Sequence, residues 1–377
     1  MIASLRTIVA LFLIGAVSRA DEMVLQDALQ RAGSNRSELE QAIEKAPAEE
    51  KDGMIFLVEN MPDRDLQSLK ADFLLENSRL TWKALNESAW GKTVPKEIVY
   101  DALLPYANVS ERRDAWRADF YARFREVVKD AETPYAATVL LNQHVFPTLN
   151  VRYSTERKKA DQSPLESMES GKASCTGLSV ILVDACRAVG IPARIVGTPL
   201  WTNKSGNHTW VEIWDHGWHF TGACEPTGNK LNEGWFIDQA SKAERDQELH
   251  AIYAVTFRRN GQTFPMVWAQ DVHDVYAVNV TDRYRALRSP LPEGHVAVRI
   301  RVQGGNLRRV SVPVEVRTQD NELILAGKSK DERFDSNDHL TVSAKPGTSL
   351  TIRIPQSDIS RTVTVEDSEM LVDLMTK

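Results

Sequence analysis

The chain has 377 residues, of which 42% are hydrophobic and 26% charged, an ordinary globular composition with room for two or three domains. Its formal net charge of −6 at pH 7 provides no basic surface. Nucleic acid is therefore not an expected partner.

The first twenty residues have the pattern of a signal peptide. Arg6 precedes an apolar run from Ile8 to Val17, and Ser18-Arg-Ala20 fits a small-x-small cleavage site. The run is too short to span a bilayer comfortably, and no later stretch approaches the length of a membrane helix. We expect residues 1–20 to be removed after Ala20 and the protein to be exported, periplasmic or secreted, without a stable membrane span. An uncleaved anchor is the alternative.

Residues 21–132 have a helical pattern. Leu25, Leu29 and Ala32 recur at helical steps, and aromatic residues do the same between residues 114 and 129. Aromatic residues at this spacing are more often core than ligand site. This part is expected to be a helical N-terminal region that carries no chemistry.

A lone cysteine opens the next clear helix, after a predicted helix at Thr133–Asn150. An apolar stripe follows it, formed by Leu178, Ile181, Leu182, Ala185 and Val189. Ser174 is the expected N-cap and Gly190 the expected end of the helix. Cys175 then lies in the first turn, where unpaired backbone N–H groups and the helix dipole favour a thiolate and could hold an oxyanion. A buried structural cysteine is the other interpretation.

A histidine begins the strand that follows this helix. Residues alternate from His208 to Trp214, and Asp215-His-Gly217 predicts a turn from which Trp218 starts a return strand. A thiol needs a base to become a nucleophile near neutral pH, and imidazole is the usual one. On a strand, histidine is more often a packing residue, so this role depends on Cys175.

A third group should orient the imidazole. If the hairpin is centred on His216, position 224 lies opposite His208, and Glu225 is the nearest carboxylate. Its side chain belongs to the other face in a regular strand, but Pro226 must disturb the strand there. Glu212, on the same face as His208, is a second candidate.

A side chain upstream of the thiol could complete an oxyanion site. Gln143, Asn150 and Tyr153 are candidates, and no spacing rule selects among them.

The three cysteines cannot all pair with one another. Cys175 and Cys186 lie on one helix about 16 Å apart by the helical rise, too far for a disulfide. Cys224 could pair with either, but a free Cys175 requires that Cys224 does not bond to it. Cysteine and histidine do not show structural-zinc spacing, so neither a metal nor another cofactor is expected.

Four separated motifs resemble the transglutaminase-like superfamily core, which has a papain-like fold. They are the cysteine heading a helix, Gly190-Ile-Pro-Ala-Arg, His208-Thr-Trp-Val-Glu and the hairpin ending in Ala-Cys-Glu-Pro. The resemblance covers roughly residues 135–260 and implies that Cys175 is the nucleophile and His208 its partner. The aspartate of that family usually stands four residues after the tryptophan of the return strand, Trp218 here. Gly222 occupies that position, which leaves Glu225 as a possible substitute.

A proline-rich joint at Pro290-Leu-Pro-Glu-Gly follows the core, which we place at residues 133–289. Short alternating runs then predict a β-sandwich at residues 294–377, an accessory module for binding or spacing. The runs are Val296–Val302, Val310–Val316, Leu323–Ala326, Leu340–Ser343, Leu350–Ile354 and Thr362–Val365. The predicted fold class is α+β, with the helical region, the papain-like core and the sandwich in that order.

The expected activity is cysteine-dependent acyl transfer at an amide or peptide bond, through an acyl-enzyme made by Cys175 and His208. The resemblance places hydrolysis slightly ahead of amine cross-linking, with a peptide or protein of the cell envelope as substrate. The alternative is a weak or inactive module that binds peptide, glycan or wall material, which the glycine at position 222 favours.

Overall fold

The computed structural model describes residues 19–287, 289–355 and 357–376. The predicted signal peptide lies outside these residues apart from its last two positions, so its cleavage and export remain predictions. Within the described ranges, no helix has both the length and the apolar character needed to cross a membrane.

Of the residues that the structure describes, those up to Leu74 form one compact unit and those from Leu75 onward form another. Leu39, Met54 and Leu57 are fully buried in the first unit. Its helices are α1 (Arg19–Arg31), α2 (Arg36–Lys45), α3 (Lys51–Asn60) and α4 (Asp63–Leu66), and α5 (Ala71–Glu87) begins there.

The second unit starts with an α+β part in which helices pack against an antiparallel sheet. Its helices after α5 are α6 (Lys96–Ile98), α7 (Arg117–Val128), α8 (Pro134–Leu149), α9 (Pro164–Ser170), α10 (Cys175–Ala188), α11 (Ile237–Ser241) and α12 (Thr281–Arg285). Its strands are β1 (Arg152–Tyr153), β2 (Lys172–Ala173), β3 (Ala193–Thr198), β4 (His208–Trp214), β5 (Trp218–Thr221), β6 (Tyr253–Val255) and β7 (Ala277–Asn279). Strands β3 to β7 pair in the order β5-β4-β3-β6-β7, and β1 pairs in parallel with β2.

Helix α10 is the buried centre of this part. Its residues from Thr176 to Ala188 are all buried, between the sheet and helices α7 and α8. Ser174 caps it, because the side chain accepts a hydrogen bond from the N–H of Gly177 at 3.1 Å. Gly190 follows its last turn with φ of 84°, the left-handed conformation that glycine adopts without strain. Both predicted ends of the helix are confirmed.

The C-terminal part is two sheets that share one core. The strands are β8 (Val296–Gln303), β9 (Pro313–Thr318), β10 (Leu323–Lys328), β11 (Leu340–Ala344), β12 (Ser349–Arg353), β13 (Ser360–Thr364) and β14 (Met370–Met375). They pair in the orders β10-β9-β12-β13 and β11-β8-β14. Ile300 of one sheet and Val316 of the other are fully buried in the same apolar cluster, so the predicted sandwich is present.

The fold class is mixed α+β as predicted, with a helical N-terminal region, the core sheet and its helices, and the C-terminal sheets. The predicted domain limits at residues 132–133 and 289–294 remain predictions. The sequence pattern did not predict β14, which pairs in parallel with β8 at the end of the chain.

Candidate active site

Two side-chain contacts fix the start of α10 against the start of β4. The hydroxyls of Thr176 and Thr209 lie 3.0 Å apart, and the Ser179 hydroxyl donates to the carbonyl of Thr209 at 3.2 Å. Thr176 and Thr209 follow directly on Cys175 and His208. The thiol and the imidazole are therefore placed by rigid secondary structure rather than by loops.

The structure brings Cys175 and His208 together, and a third residue joins them. Sγ of Cys175, a ring nitrogen of His208 and a carboxylate oxygen of Asp335 all lie within 4.8 Å of one another. Cys175 is partly exposed, whereas His208 and Asp335 are only 1% and 3% exposed. The sequence had not placed Asp335 at the site.

Aromatic rings surround the imidazole. The ring centres of Trp235 and Phe236 lie 4.7 Å and 5.0 Å from that of His208. Trp201 and Trp210 are also close, but both are at most 1% exposed and belong to the core. This packing excludes water from most of the ring, so a charge on it depends on neighbouring charges.

Asp335 belongs to the 329–339 loop, which connects β10 to β11 in the C-terminal sandwich. Its Oδ2 lies 3.5 Å from Nδ1 of His208, and its Oδ1 accepts a hydrogen bond from the N–H of Asn337 at 2.9 Å. Neither ring nitrogen of His208 has a hydrogen bond of good geometry within the described residues. Catalytic hydrogen bonds are commonly long before substrate binds.

The electrostatic environment favours a charged imidazole beside a charged carboxylate. Burial works to lower the pKa of His208, but Asp335 and then Cys175 raise it, and the net shift is well upward. Burial likewise raises the pKa of Asp335, but His208 and the N–H of Asn337 outweigh it and the net shift is downward. Each group thus stabilises the ionised form of the other.

Glu225, the predicted third residue, lies near His208 without contacting its ring nitrogens. Its carboxylate accepts a hydrogen bond at 3.0 Å from the indole N–H of Trp235, whose ring packs on the imidazole. A Cβ at Gly222 would clash with Oε2 of Glu225, so this carboxylate fills the space that an aspartate there would need. Burial raises the pKa of Glu225 to about 7, with His208 opposing the shift and Asp335 adding to it.

Glu212, the second candidate, is fully engaged elsewhere. One oxygen accepts two hydrogen bonds from Arg194 at 2.9 and 2.7 Å, and the other accepts from Arg283 and from the Tyr284 hydroxyl. Burial opposes but does not prevent a lowered pKa for Glu212, because the two guanidinium groups hold its charge. No oxygen of Glu212 remains to orient the imidazole.

Of the three candidates for an oxyanion side chain, the structure brings Tyr153 to the site. Gln143 donates instead to the carbonyl of Gly228 at 2.8 Å, and Asn150 is the exposed residue that ends α8. Tyr153 is buried on β1, where it pairs with Ala173 just before the cysteine. Burial, and then the charges of Asp335 and Cys175, raise the pKa of the Tyr153 phenol.

All three cysteines, which lie within the described ranges, are free. Cys186 is fully buried, and burial raises the pKa of Cys186 and of Cys224 to about 12 in each case. Thiolate, imidazole and carboxylate are also donors that zinc accepts, so Cys175, His208 and Asp335 could hold a metal ion. The expected absence of a metal stays a prediction.

The comparisons with known proteins place a family within this part of the chain. Residues 122–223 match the model of the transglutaminase-like superfamily core, so they form a transglutaminase-like domain. The match includes both Cys175 and His208 and ends just after Gly222. The comparison with curated proteins found no match.

Two solved structures are similar over parts of their length. One is a protein from Cytophaga hutchinsonii described provisionally as a cysteine protease, 19% identical over 30% of this chain and 40% of its own, with a TM-score of 0.26. The other is a C-terminal fragment of the pilus adhesin SpaC from Lactobacillus rhamnosus GG, 10% identical over 49% of this chain and 88% of its own, with a TM-score of 0.17. The chain thus spans less than half of the first structure.

Asp335 was missed because its surroundings in the sequence form a polar connection between two strands. The run from Asp331 to Asp338 has the composition of a solvated turn. One available signal was its length, since the connection exceeds the two to five residues typical of a hairpin loop. Long ordered loops are where functional side chains concentrate.

Proposed function

We propose that this protein is a cysteine-dependent acyl-transfer enzyme that acts on an amide or peptide bond, with Cys175 as nucleophile and His208 as its acid and base. The observation that carries the proposal is that the thiol of Cys175, the imidazole of His208 and the carboxylate of Asp335 lie within 4.8 Å of one another at the N-terminus of α10. The partial exposure of Cys175 gives a substrate carbonyl access to sulfur.

The proposed reaction has two halves. Sulfur of Cys175 gives its proton to His208 and attacks the carbonyl carbon, and the oxyanion lies near the first N–H groups of α10 and the Tyr153 hydroxyl. The C–N bond then breaks as His208 returns the proton to the leaving amine. In the second half His208 takes a proton from water, the new C–O bond replaces the thioester bond, and the proton returns to sulfur.

Hydrolysis is placed ahead of transfer to an amine, with a peptide or protein of the cell envelope as the proposed substrate. The two possible acceptors of the acyl group, water and an amine, give different products. A glutamine-containing peptide that releases ammonia without incorporating a labelled primary amine indicates hydrolysis, and incorporation of the amine indicates cross-linking.

The direct test is labelling of Cys175 by iodoacetamide, followed by mass spectrometry of the modified peptide. We expect fast labelling at Cys175 down to about pH 6, and loss of most of that rate in His208→Ala. Cys224→Ala is the matched control, because burial keeps the Cys224 thiol protonated. Slow labelling that His208→Ala leaves unchanged would refute the enzyme.

A binding module that keeps this fold is the second candidate function, and Gly222 is the observation in its favour. The binding module predicts that a peptide or glycan binds equally well to wild type and to Cys175→Ala while no bond is cleaved.

A further comparison of Glu225→Gln with Glu212→Gln in the turnover assay tests the two carboxylates chosen from the sequence. Loss of turnover in Glu225→Gln alone supports Glu225 as the residue that orients His208.

A further inference from the structure

We infer that Asp335, supplied by the C-terminal sandwich, is the positioning residue of His208, so that the active site is completed by two parts of the chain. This rests on the proposed function, because a positioning residue requires a working thiol and imidazole. It gives the C-terminal sandwich a role beyond binding or spacing.

Asp335 is the carboxylate that contacts the ring. Its Oδ2 lies 3.5 Å from Nδ1 of His208, while Glu225 is turned to Trp235 and both oxygens of Glu212 are bound elsewhere. With 3% of its surface exposed, Asp335 has little access to water, so its charge is directed to the imidazole rather than screened. A carboxylate in this place fixes the ring and stabilises the imidazolium.

The backbone around Asp335 is held by one buried arginine. Arg309, 8% exposed, donates to the carbonyl of Asp335 at 2.9 Å, to that of Asp338 at 3.3 Å and to that of Phe334 at 2.6 Å. A guanidinium presents its donors in a fixed fork, so three carbonyl acceptors define the path of the loop. The carboxylate of Asp335 is therefore placed before substrate arrives.

The two residues after Asp335 contact the other walls of the site. The N–H of Ser336 donates to the Tyr153 hydroxyl at 3.1 Å, and the side chain of Asn337 reaches the carbonyl of Asn207 at 3.5 Å. A Cβ at Gly206 would lie 3.4 Å from the side-chain amide nitrogen of Asn337, so this side chain packs closely on the glycine. Three consecutive residues thus meet the elements that carry the candidate oxyanion group and the imidazole.

The site also explains how a glycine can stand at position 222. The hairpin lacks a carboxylate at position 222, and Asp335 supplies the negative charge instead. The pKa of Asp335 stays low despite burial. Glu225 fills the vacated space, but burial raises its pKa to about 7, so near neutral pH only part of it is charged. Asp335 is the more constant source of negative charge.

The experiment measures the pKa of His208 in the full chain, by NMR of ring nitrogens in histidine-labelled protein, with His208→Ala for assignment. Asp335→Asn keeps the shape and removes the charge, so the pKa of His208 should fall by at least about one unit. Asp335→Glu, which keeps the charge, should stay closer to wild type. Asp331→Asn is the matched control in the same loop, because its carboxylate pairs with Arg333 instead.

The iodoacetamide rate at Cys175 is the second readout. In the pH profile of this labelling rate, Asp335→Asn should move the inflection at which His208 loses its proton to lower pH. Turnover of the amide or peptide substrate should fall on the order of 10²-fold or more in Asp335→Asn. The thermal midpoints of the variant and of wild type are compared to exclude unfolding. An unchanged His208 pKa in Asp335→Asn, a larger change in Glu225→Gln, or faster labelling in Asp335→Asn overturns the inference. If the inference is overturned but His208→Ala still slows labelling of Cys175, the proposed function stands. If His208→Ala does not change labelling of Cys175, the proposed function is rejected.

Discussion

Asp335 is buried and Glu225 is half-buried, and their carboxyl groups near His208 differ in charge because their partners differ. Asp335 accepts a backbone N–H and faces an imidazole, and its pKa is lowered although burial acts against this. Glu225 accepts one indole N–H, and burial raises its pKa to about 7. A carboxylate needs hydrogen bonds or a cation to offset lost hydration, and Glu225 has fewer of them.

Stability should therefore fall with rising pH because of Glu225. Its pKa is raised from 4.5 in the unfolded chain to about 7 in the folded one, so between these values the folded state binds more protons. The free energy of unfolding then decreases as pH rises through this window. Glu225→Gln removes the effect, and we expect the variant to gain up to about 2 kcal/mol on wild type between about pH 5 and pH 8.

Urea unfolding at the two pH values measures this difference. Glu233→Gln, a change at an exposed carboxylate in the same connection between β5 and α11, is the control and should follow wild type. Parallel pH dependence in wild type and Glu225→Gln would show that Glu225 ionises normally in the folded protein.

At the scale of elements, the start of α10 decides where the thiol lies. Ser174 both accepts from the N–H of Gly177 and donates to the carbonyl of Ala160 at 2.5 Å, so it joins the helix to the connection between β1 and α9. The helix then docks on β4 through Thr176 and Thr209. The position of Cys175 relative to His208 depends on this capped turn.

Ser174→Ala should cost about 1 kcal/mol of stability and also slow labelling of Cys175, because the loosened turn carries the sulfur. Thr133→Ala is a matched control: Thr133 caps α8 through the N–H of Ala136 at 3.1 Å, so a similar loss of stability is expected there. Labelling rates at Cys175 are compared between the two variants and wild type at the same urea concentration. Equal slowing in both variants would mean that the cap acts only through overall stability.

Local signals predicted the elements that carry the thiol and the imidazole. The cap, the apolar stripe and Gly190 define α10, and the hairpin pairs Trp214 with Trp218 about His216, as expected. The hairpin pattern was less informative beyond Thr221, where β5 ends. Cys224 has φ of 66°, so the chain leaves the strand path and Glu225 turns back beside Gly222.

At the scale of the whole molecule, the sequence could not predict the contact between Asp335 and His208. The pattern of β-strands predicted the sandwich, but the placement of its loops depends on packing between residues far apart in the chain. Ser336 on Tyr153 and Asn337 on Asn207 are such contacts. No spacing rule applies to them, because Ser336 and Asn337 have the composition of an ordinary polar loop when the sequence is considered alone.

If the sandwich supplies Asp335, loss of the sandwich fold should remove fast labelling at Cys175. Val316→Ala creates a cavity at a fully buried position between the two sheets and should cost about 2 kcal/mol. In a urea titration, we expect fast labelling of Cys175 to disappear at a lower midpoint in this variant. Leu323→Ala, at a 45% exposed position of β10, is the control and should keep the wild-type midpoint. Hydrogen exchange in β8 and β9 monitors the unfolding of the sandwich. Fast labelling of Cys175 that survives after the sandwich has unfolded would contradict a site shared by the two parts.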